Sequence, residues 1–190
     1  MNVRSYLLLF FVLCGCNTQK HYFEKDYSFF NSNFKPDPVS LLRTDGVYVL
    51  QKIWTNADGG TERIATNKQV YKFYNTGQVN LILNTDNRLG TNPDYVQAFN
   101  REIMESTAKK SATLFEGYYK SEGNKIVIQR ASVPRQIFVY NYGLIEKDTL
   151  ILVKETITGK GKIKDEYFTD YYKAYYVFVP TQQNYIKPNW

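Results

Sequence analysis

Hydrophobic and polar residues alternate with a period of two through most of the chain from residue 46 onward. In the segment 69–74, Tyr71 and Phe73 lie on either side of Lys72, and the segment 78–84 alternates in the same way after a tight Asn-Thr-Gly turn. This period is typical of β-strands with one buried face. The pattern predicts eight strands, at residues 46–54, 69–74, 78–84, 112–121, 124–129, 135–145, 149–154 and 166–179.

One segment between the third and fourth predicted strands has a different period. Asn92 and Pro93 form a helix-start sequence, with Asn92 as the N-cap and Pro93 at the first helical position. Val96, Phe99 and Ile103 then recur at helical spacing, and the pattern continues to about residue 109. We therefore predict a short amphipathic helix that packs across an opening or on the outside of the sheet.

Eight strands joined mostly by short turns favour an antiparallel sheet that closes on itself and leaves no exposed edge. The predicted fold is mainly β: an eight-stranded antiparallel up-and-down barrel at residues 41–190, with one short helix inserted between strands 3 and 4. The interior of a barrel of this size can be filled by side chains or can hold one small ligand. The strand pattern leaves both alternatives open.

Four parts of the chain resemble the lipocalin-like domains found on bacterial lipoproteins. The resemblance spans residues 43–179 and implies a lipocalin-like barrel without catalytic residues. The segments that carry it are residues 43–48, 71–79, 116–119 with 123–126, and 148–152.

Aromatic residues are frequent, with 17 Tyr and 12 Phe, and several share one face of a predicted strand. Such rings either pack in the core or line a pocket for an apolar or aromatic ligand. The candidate ligand-binding residues are Tyr48, Tyr71, Phe73, Phe115, Tyr119 and Tyr140.

The first sixteen residues resemble the export signal and lipobox of bacterial lipoproteins. Arg4 precedes an apolar run at residues 6–13, which is shorter than the roughly 20 residues needed to span a membrane, and Leu-Cys-Gly-Cys occupies 13–16. The resemblance implies a signal peptide at 1–15, cleaved before Cys16. It also implies a diacylglyceryl group on the Cys16 thiol and a further acyl chain, such as palmitate, on its amine. Several acyl chains anchor a protein stably to a membrane.

Residues 16–40 form the predicted lipidated tether, which is polar and ends in a segment with two prolines. The residue after Cys16 is not Asp, and no acidic cluster follows. The predicted location is therefore the outer membrane, facing the periplasm. The tether carries too many aromatic residues for a solvated linker, so part of it packs on the domain or lies among the lipid headgroups.

Removal of the signal peptide also removes Cys14, and His21 is the only histidine. Thiol proteases, redox cysteine pairs and multi-histidine metal sites are therefore excluded, and we expect no cofactor, no metal and no enzymatic activity. The net charge is +6, but the densest basic run, at residues 160–164, is followed by acidic residues. Nucleic acid is consequently not an expected partner.

Two functions are the main alternatives for the anchored domain, and an enzyme that uses carboxylate chemistry is a third, less favoured one. It could be a binding module whose barrel holds a small apolar or aromatic ligand. Alternatively, it could be an accessory lipoprotein with a filled barrel that docks an envelope protein through exposed aromatic residues. A cavity inside the barrel favours the first function, and an aromatic patch on a solid barrel favours the second.

Overall fold

The computed structural model describes residues 22–84, 89–90, 92–109, 115–132, 137–169, 172–181, 184–188 and 190. These residues form nine strands and one α-helix, α1 (Tyr95–Lys109), which lies between the fourth and fifth strands. The strands are β1 (Gly46–Thr55), β2 (Glu62–Ile64), β3 (Lys68–Phe73), β4 (Gln78–Asn84), β5 (Glu116–Glu122), β6 (Lys125–Ser132), β7 (Ile137–Glu146), β8 (Thr149–Thr156) and β9 (Tyr172–Pro180).

The sheet closes into a barrel because β1 pairs with β9 as well as with its sequence neighbours, and every pairing is antiparallel. Strands β2 and β3 lie along the same edge of β1, where Ile64 pairs with Lys52 and Tyr71 pairs with Tyr48. Together β2 and β3 occupy one strand position, so the barrel has eight positions. The predicted eight-stranded up-and-down barrel is confirmed, and so is the helix between its third and fourth positions.

The two ends of the barrel differ. At the end we call the closed end, Gly46 pairs with Pro180, and the β3–β4, β5–β6 and β7–β8 turns join the strands. At the opposite end, the open end, Thr55 pairs with Tyr172. Strands β4, β6 and β8 finish at the open end, whereas β3, β5 and β7 finish at the closed end.

Side chains alternate between the interior of the barrel and its outer surface, as the period of two predicts. The interior cluster receives residues from all eight strand positions. Its buried members are Tyr48, Leu50, Tyr71, Phe73, Val79, Leu81, Tyr119, Ile126, Ile128, Ile145, Leu150, Leu152, Ala174, Tyr176 and Phe178.

Helix α1 covers one side of the outer surface, where fully buried Phe99 packs against valines of β1 and β3. The helix begins at Tyr95, and its N-cap is Asp94, whose carboxylate accepts a hydrogen bond from the N–H of Gln97 at 3.0 Å. The prediction of Asn92 as N-cap was therefore wrong by two residues. Asp94 can fill the same role because its short carboxylate also reaches the first-turn N–H groups.

The N-terminal segment, which we define as residues 22–34, packs on the outside and the closed end of the barrel. Tyr22 and Phe29 are buried in an outer aromatic cluster. Fully buried Gln129, on the outer face of β6, accepts a hydrogen bond from the N–H of Phe29 at 2.9 Å. The chain from residue 22 on is therefore part of the packed domain. The predicted signal peptide and Cys16 lie outside the described residues.

The segment before β9 differs from the prediction of a single strand at 166–179. A 3₁₀ turn, Asp165–Tyr167, precedes the strand, and β9 begins only at Tyr172. The ring of Tyr167 stacks on Tyr142 with 4.8 Å between centroids, so burial on the outer cluster takes this part of the chain away from the sheet. Strand β5 is likewise shorter than predicted and begins at Glu116.

Candidate functional site

Aromatic rings fill the interior at the closed end. The ring of Phe73 makes edge-to-face contacts with Tyr48 and Tyr119, at 5.7 and 5.2 Å between centroids. Phe34 of the N-terminal segment packs against Tyr119 at 5.3 Å and covers this end. Three of the six candidate ligand-binding residues thus lie in a packed core, in the geometry that aromatic pairs prefer.

The phenol groups of this core are bonded to the backbone at the closed end. The Tyr48 hydroxyl oxygen accepts a hydrogen bond from the N–H of Arg43 at 2.9 Å, and the Tyr119 hydroxyl donates to the carbonyl of Tyr74 at 2.9 Å. A buried phenol without a partner would cost free energy, so these bonds make the arrangement stable. The bond to Tyr48 also fixes the chain that enters β1, and the bond from Tyr119 fixes the turn after β3.

A cavity of about 460 Å³ lies at the open end of the barrel. Tyr71, a fourth candidate residue, forms part of its wall, together with apolar and polar side chains from several strands. The lining residues are Gln69, Tyr71, Leu81, Leu83, Arg130, Asn141, Leu152, Lys154, Glu155, Tyr172 and Tyr176. The interior is therefore filled at one end and hollow at the other.

Three polar side chains in the cavity wall form a connected network. The Arg130 guanidinium donates two hydrogen bonds to the Asn141 carbonyl oxygen, at 3.1 and 3.0 Å, and lies 3.3 Å from Glu155. The Asn141 amide donates to the same Glu155 carboxylate at 2.8 Å. The Arg130 side chain is 15% exposed and that of Glu155 is 61% exposed. The network thus runs from the wall of the cavity to solvent.

A β-bulge brings Glu155 into this network. Tyr142 pairs with Lys154 but the next residue of β7, Gly143, pairs with Leu152, so Val153 is an extra residue in β8. Without it, the alternation that places Leu152 inside would turn Glu155 outward. Bulges often re-aim side chains next to binding sites, and this one places a carboxylate beside Arg130.

Two tyrosines form the aromatic part of the wall. The rings of Tyr71 and Tyr176 meet edge-to-face at 5.2 Å, and the Tyr176 hydroxyl donates a hydrogen bond to the side-chain oxygen of Gln69 at 2.8 Å. Burial raises the pKa of both phenols above its ordinary value. Both side chains are consequently neutral at physiological pH and offer apolar ring faces with a polar tip.

No family model, curated protein or solved structure matches this chain. Within the described part of the chain, no helix is long and apolar enough to cross a membrane. The described residues also contain no group of three or more His, Cys, Asp or Glu side chains placed to hold a metal ion. Cys16 and His21 lie outside the described residues. The function is therefore inferred from the geometry of the cavity.

The two remaining candidate residues lie apart from the cavity. Phe115 packs against the interior cluster from the start of β5, and its carbonyl accepts a hydrogen bond from the N–H of Leu81 at 2.9 Å. Tyr140 faces the outer surface, where its ring lies 5.9 Å from that of Phe29. Its hydroxyl accepts a hydrogen bond from the Gln129 amide at 3.3 Å. Tyr140 therefore helps to hold the N-terminal segment.

The polar residues of the wall were not among the sequence candidates, although one of them has a readable signal. In β6, Arg130 is in phase with Ile126 and Ile128, which both face the interior. A charged residue at an inward position of an apolar strand is uncommon and points to a site. Glu155 has no such signal, because its inward direction depends on the bulge at Val153.

A second, smaller cavity of about 340 Å³ lies outside the barrel at the closed end and contains the ammonium group of Lys72. Lys72 is 2% exposed, and its Nζ donates hydrogen bonds to the carbonyls of Thr44 and Phe73. The same atom lies over the ring of Tyr185 at 4.3 Å. Desolvation lowers the pKa of Lys72 to about 8, although nearby Asp45 acts in the opposite direction.

Proposed function

We propose that this protein is a lipid-anchored binding protein whose lipocalin-like barrel holds one small amphiphilic ligand at its open end. The cavity at the open end carries the proposal. Its volume of about 460 Å³ is within the range of small-molecule sites. An apolar wall with a few convergent polar groups is also the usual composition of such sites.

The wall residues define the class of ligand. Tyr71, Tyr176 and Leu152 offer ring faces and methyl groups to an apolar or aromatic body. Arg130 and Asn141 offer hydrogen bonds to a polar head group, and an acidic head group would complement the guanidinium. The proposed role is binding and not catalysis.

The anchor part of the proposal is supported by the sequence. The lipobox at residues 13–16 follows an apolar signal segment, and acylation of Cys16 would hold the barrel at the outer membrane, facing the periplasm. An accessory role that docks an envelope protein was the alternative, and it required a filled barrel. The hollow open end favours the ligand-binding role.

A binding assay with a fluorescent probe tests the proposal. The probe is anilinonaphthalene sulfonate, which has an aromatic body and an acidic group. The protein is the chain from residue 17, without lipid, because residues 22–34 pack on the barrel and must be kept. We expect saturable binding to one site, weakened tenfold or more by Leu83→Trp, which fills the partly exposed mouth of the cavity.

Val177→Trp is the matched control, because Val177 lies in β9 on the outer surface and is 39% exposed. It should leave the affinity unchanged. Equal effects of the two Trp substitutions, or no saturable binding by the wild-type chain, would contradict a ligand site in the barrel.

A further inference from the structure

The contacts of the N-terminal segment show near which end of the barrel Tyr22, the first described residue, lies. Near the closed end, the Asp37 carboxylate accepts a hydrogen bond from the N–H of Gly123 in the β5–β6 turn, at 2.8 Å. Going back along the chain, Phe29 contacts Tyr140, and Tyr22 then contacts Phe138 at 5.0 Å between ring centroids. Phe138 is the second residue of β7, which begins at the open end. The segment therefore emerges beside the mouth of the cavity.

The distance to the proposed lipid is short. Tyr22 is the sixth residue after Cys16, and a fully extended chain over these six steps spans at most about 20 Å. From Phe138 to the closed end of β7 at Glu146, the strand covers about 26 Å, or about 20 Å along the barrel axis after strand tilt. If the closed end faced the bilayer, these residues would need to be fully stretched. If the open end faces the bilayer, the residues between Cys16 and Tyr22 do not need to be fully extended.

Exposed apolar side chains surround the open end. Ile64, in the short strand β2 that begins at this end, is 84% exposed, and Ile157, which follows the end of β8, is 56% exposed. Phe23, next to the point of emergence, is 61% exposed. Side chains of this kind enter the boundary between headgroups and acyl chains when a protein lies on a membrane.

The closed end also exposes Val39 and Leu41, so apolar exposure alone does not decide between the ends. The short reach from Tyr22 to Cys16 does, because it favours the open end.

We propose that the open end of the barrel faces the surface of the bilayer, so that the cavity exchanges an amphiphilic ligand directly with the membrane. The inference rests on the proposed function, because it needs both the lipid on Cys16 and the cavity. It adds the orientation of the domain and the source of the ligand.

Tryptophan fluorescence allows a direct test. Trp54 lies at the open end, in β1 opposite Lys173. Trp190 packs on the outer aromatic cluster that contains Tyr22, so Trp190→Phe is included in every reporter chain. Trp190→Phe alone leaves Trp54 as the reporter of the open end, and adding Trp54→Phe and Leu41→Trp places a reporter at the closed end, where Leu41 is 52% exposed.

The acylated full-length protein, with acylation verified by intact mass, is placed in vesicles of phosphatidylethanolamine and phosphatidylglycerol. These vesicles are prepared with and without a phospholipid that carries a nitroxide quencher on its headgroup. We expect the fluorescence of Trp54 to fall by half or more and that of the Leu41→Trp reporter to change little. Stronger quenching of the Leu41→Trp reporter, equal quenching of both, or quenching of neither would overturn the orientation.

Surface variants sharpen the result without affecting folding. Ile64→Asp at the open end should reduce the quenching of Trp54, and Val39→Asp at the closed end should not. Equal effects of the two would count against the orientation. If the verified acylated chain binds the fluorescent probe but lacks this quenching pattern, only the orientation fails. If Cys16 carries no lipid, the anchor and the orientation fail together, and the probe assay still decides on the cavity.

Discussion

The closed and open ends of the barrel are built by the same alternation of side chains but differ in what occupies the interior. At the closed end, inward positions carry aromatic rings that contact one another and bond their hydroxyls to the backbone. At the open end, β6 continues from inward Ile128 to inward Arg130, and polar side chains surround a cavity. The strand pattern thus determines which positions face inward, and the residue at each position determines whether the space is filled.

This difference separates stability from binding along the barrel axis. Aromatic rings in contact contribute packing free energy, whereas a cavity with polar walls contributes little to folding and leaves room for a ligand. Substitutions at the closed end should therefore change mainly the free energy of unfolding. Substitutions at the open end should change mainly ligand affinity.

The largest expected effect is that of Phe73→Ala at the closed end. Phe73 is fully buried, and its ring contacts three tyrosines. Removing it should lower the free energy of unfolding by about 3–5 kcal/mol, measured by urea denaturation. Leu83→Ala, at a partly exposed position beside the cavity, should cost clearly less. Equal losses for the two variants would show that both ends are packed to the same degree.

The next largest effect concerns the hydrogen bond between Phe29 and Gln129, which holds the N-terminal segment against the outer face of the barrel. Gln129→Met keeps the size of the side chain but removes the acceptor for the N–H of Phe29. A buried donor without a partner should cost about 1–3 kcal/mol in the free energy of unfolding. Gln51→Met, at the exposed bulge of β1, is the control and should be close to neutral. If Gln129→Met were also neutral, the segment would not depend on this hydrogen bond.

The buried cation at the closed end predicts a dependence of stability on pH. The folded-state pKa of Lys72 is lowered to about 8, so the unfolded chain binds more protons between pH 8 and the ordinary lysine value. The free energy of unfolding should therefore increase, by up to about 1 kcal/mol, from pH 7 to pH 9. At higher pH it should fall, because burial raises the pKa of core tyrosines such as Tyr119 and only the unfolded chain then ionises.

Lys72→Met should abolish the increase between pH 7 and pH 9 and keep the decrease at higher pH. Urea denaturation at a series of pH values measures both. An increase that persists in the variant would assign the effect to another group.

The sequence predicts the barrel well because the alternation of apolar and polar residues, as in β3 and β4, is enough to identify a strand with one buried face. It does not predict β2, because Glu62, Arg63 and Ile64 are all exposed and show no period. The placement of Glu155 is also beyond pattern reasoning, since one extra residue in β8 reverses the phase of the strand.

One of the six candidate residues proposed from the sequence lies at the cavity. Tyr71 lines the cavity, whereas Tyr48, Phe73 and Tyr119 have the same inward phase and the same chemistry but lie in the filled end. Whether an aromatic side chain packs in the core or lines the cavity depends on residues that are distant in the sequence, such as Phe34, which covers the closed end. Tyr140 faces outward, and its burial comes from the N-terminal segment, a contact between distant parts of the chain.

The smallest expected effect on stability is that of Glu155→Gln at the open end. The Glu155 side chain is 61% exposed, so its ion pair with Arg130 should contribute less than about 1 kcal/mol to the free energy of unfolding. Because the amide of the new side chain keeps an oxygen acceptor for Asn141, the network can persist without its negative charge. The Arg130 guanidinium is then no longer neutralised, and the affinity for anilinonaphthalene sulfonate should rise several-fold.

Fluorescence titration with N-phenylnaphthylamine, an uncharged aromatic probe, provides the comparison and should give an unchanged affinity. A rise for both probes would mean that Glu155 limits the space in the cavity, and a loss for the acidic probe would mean that Arg130 is not the group that receives an acidic head.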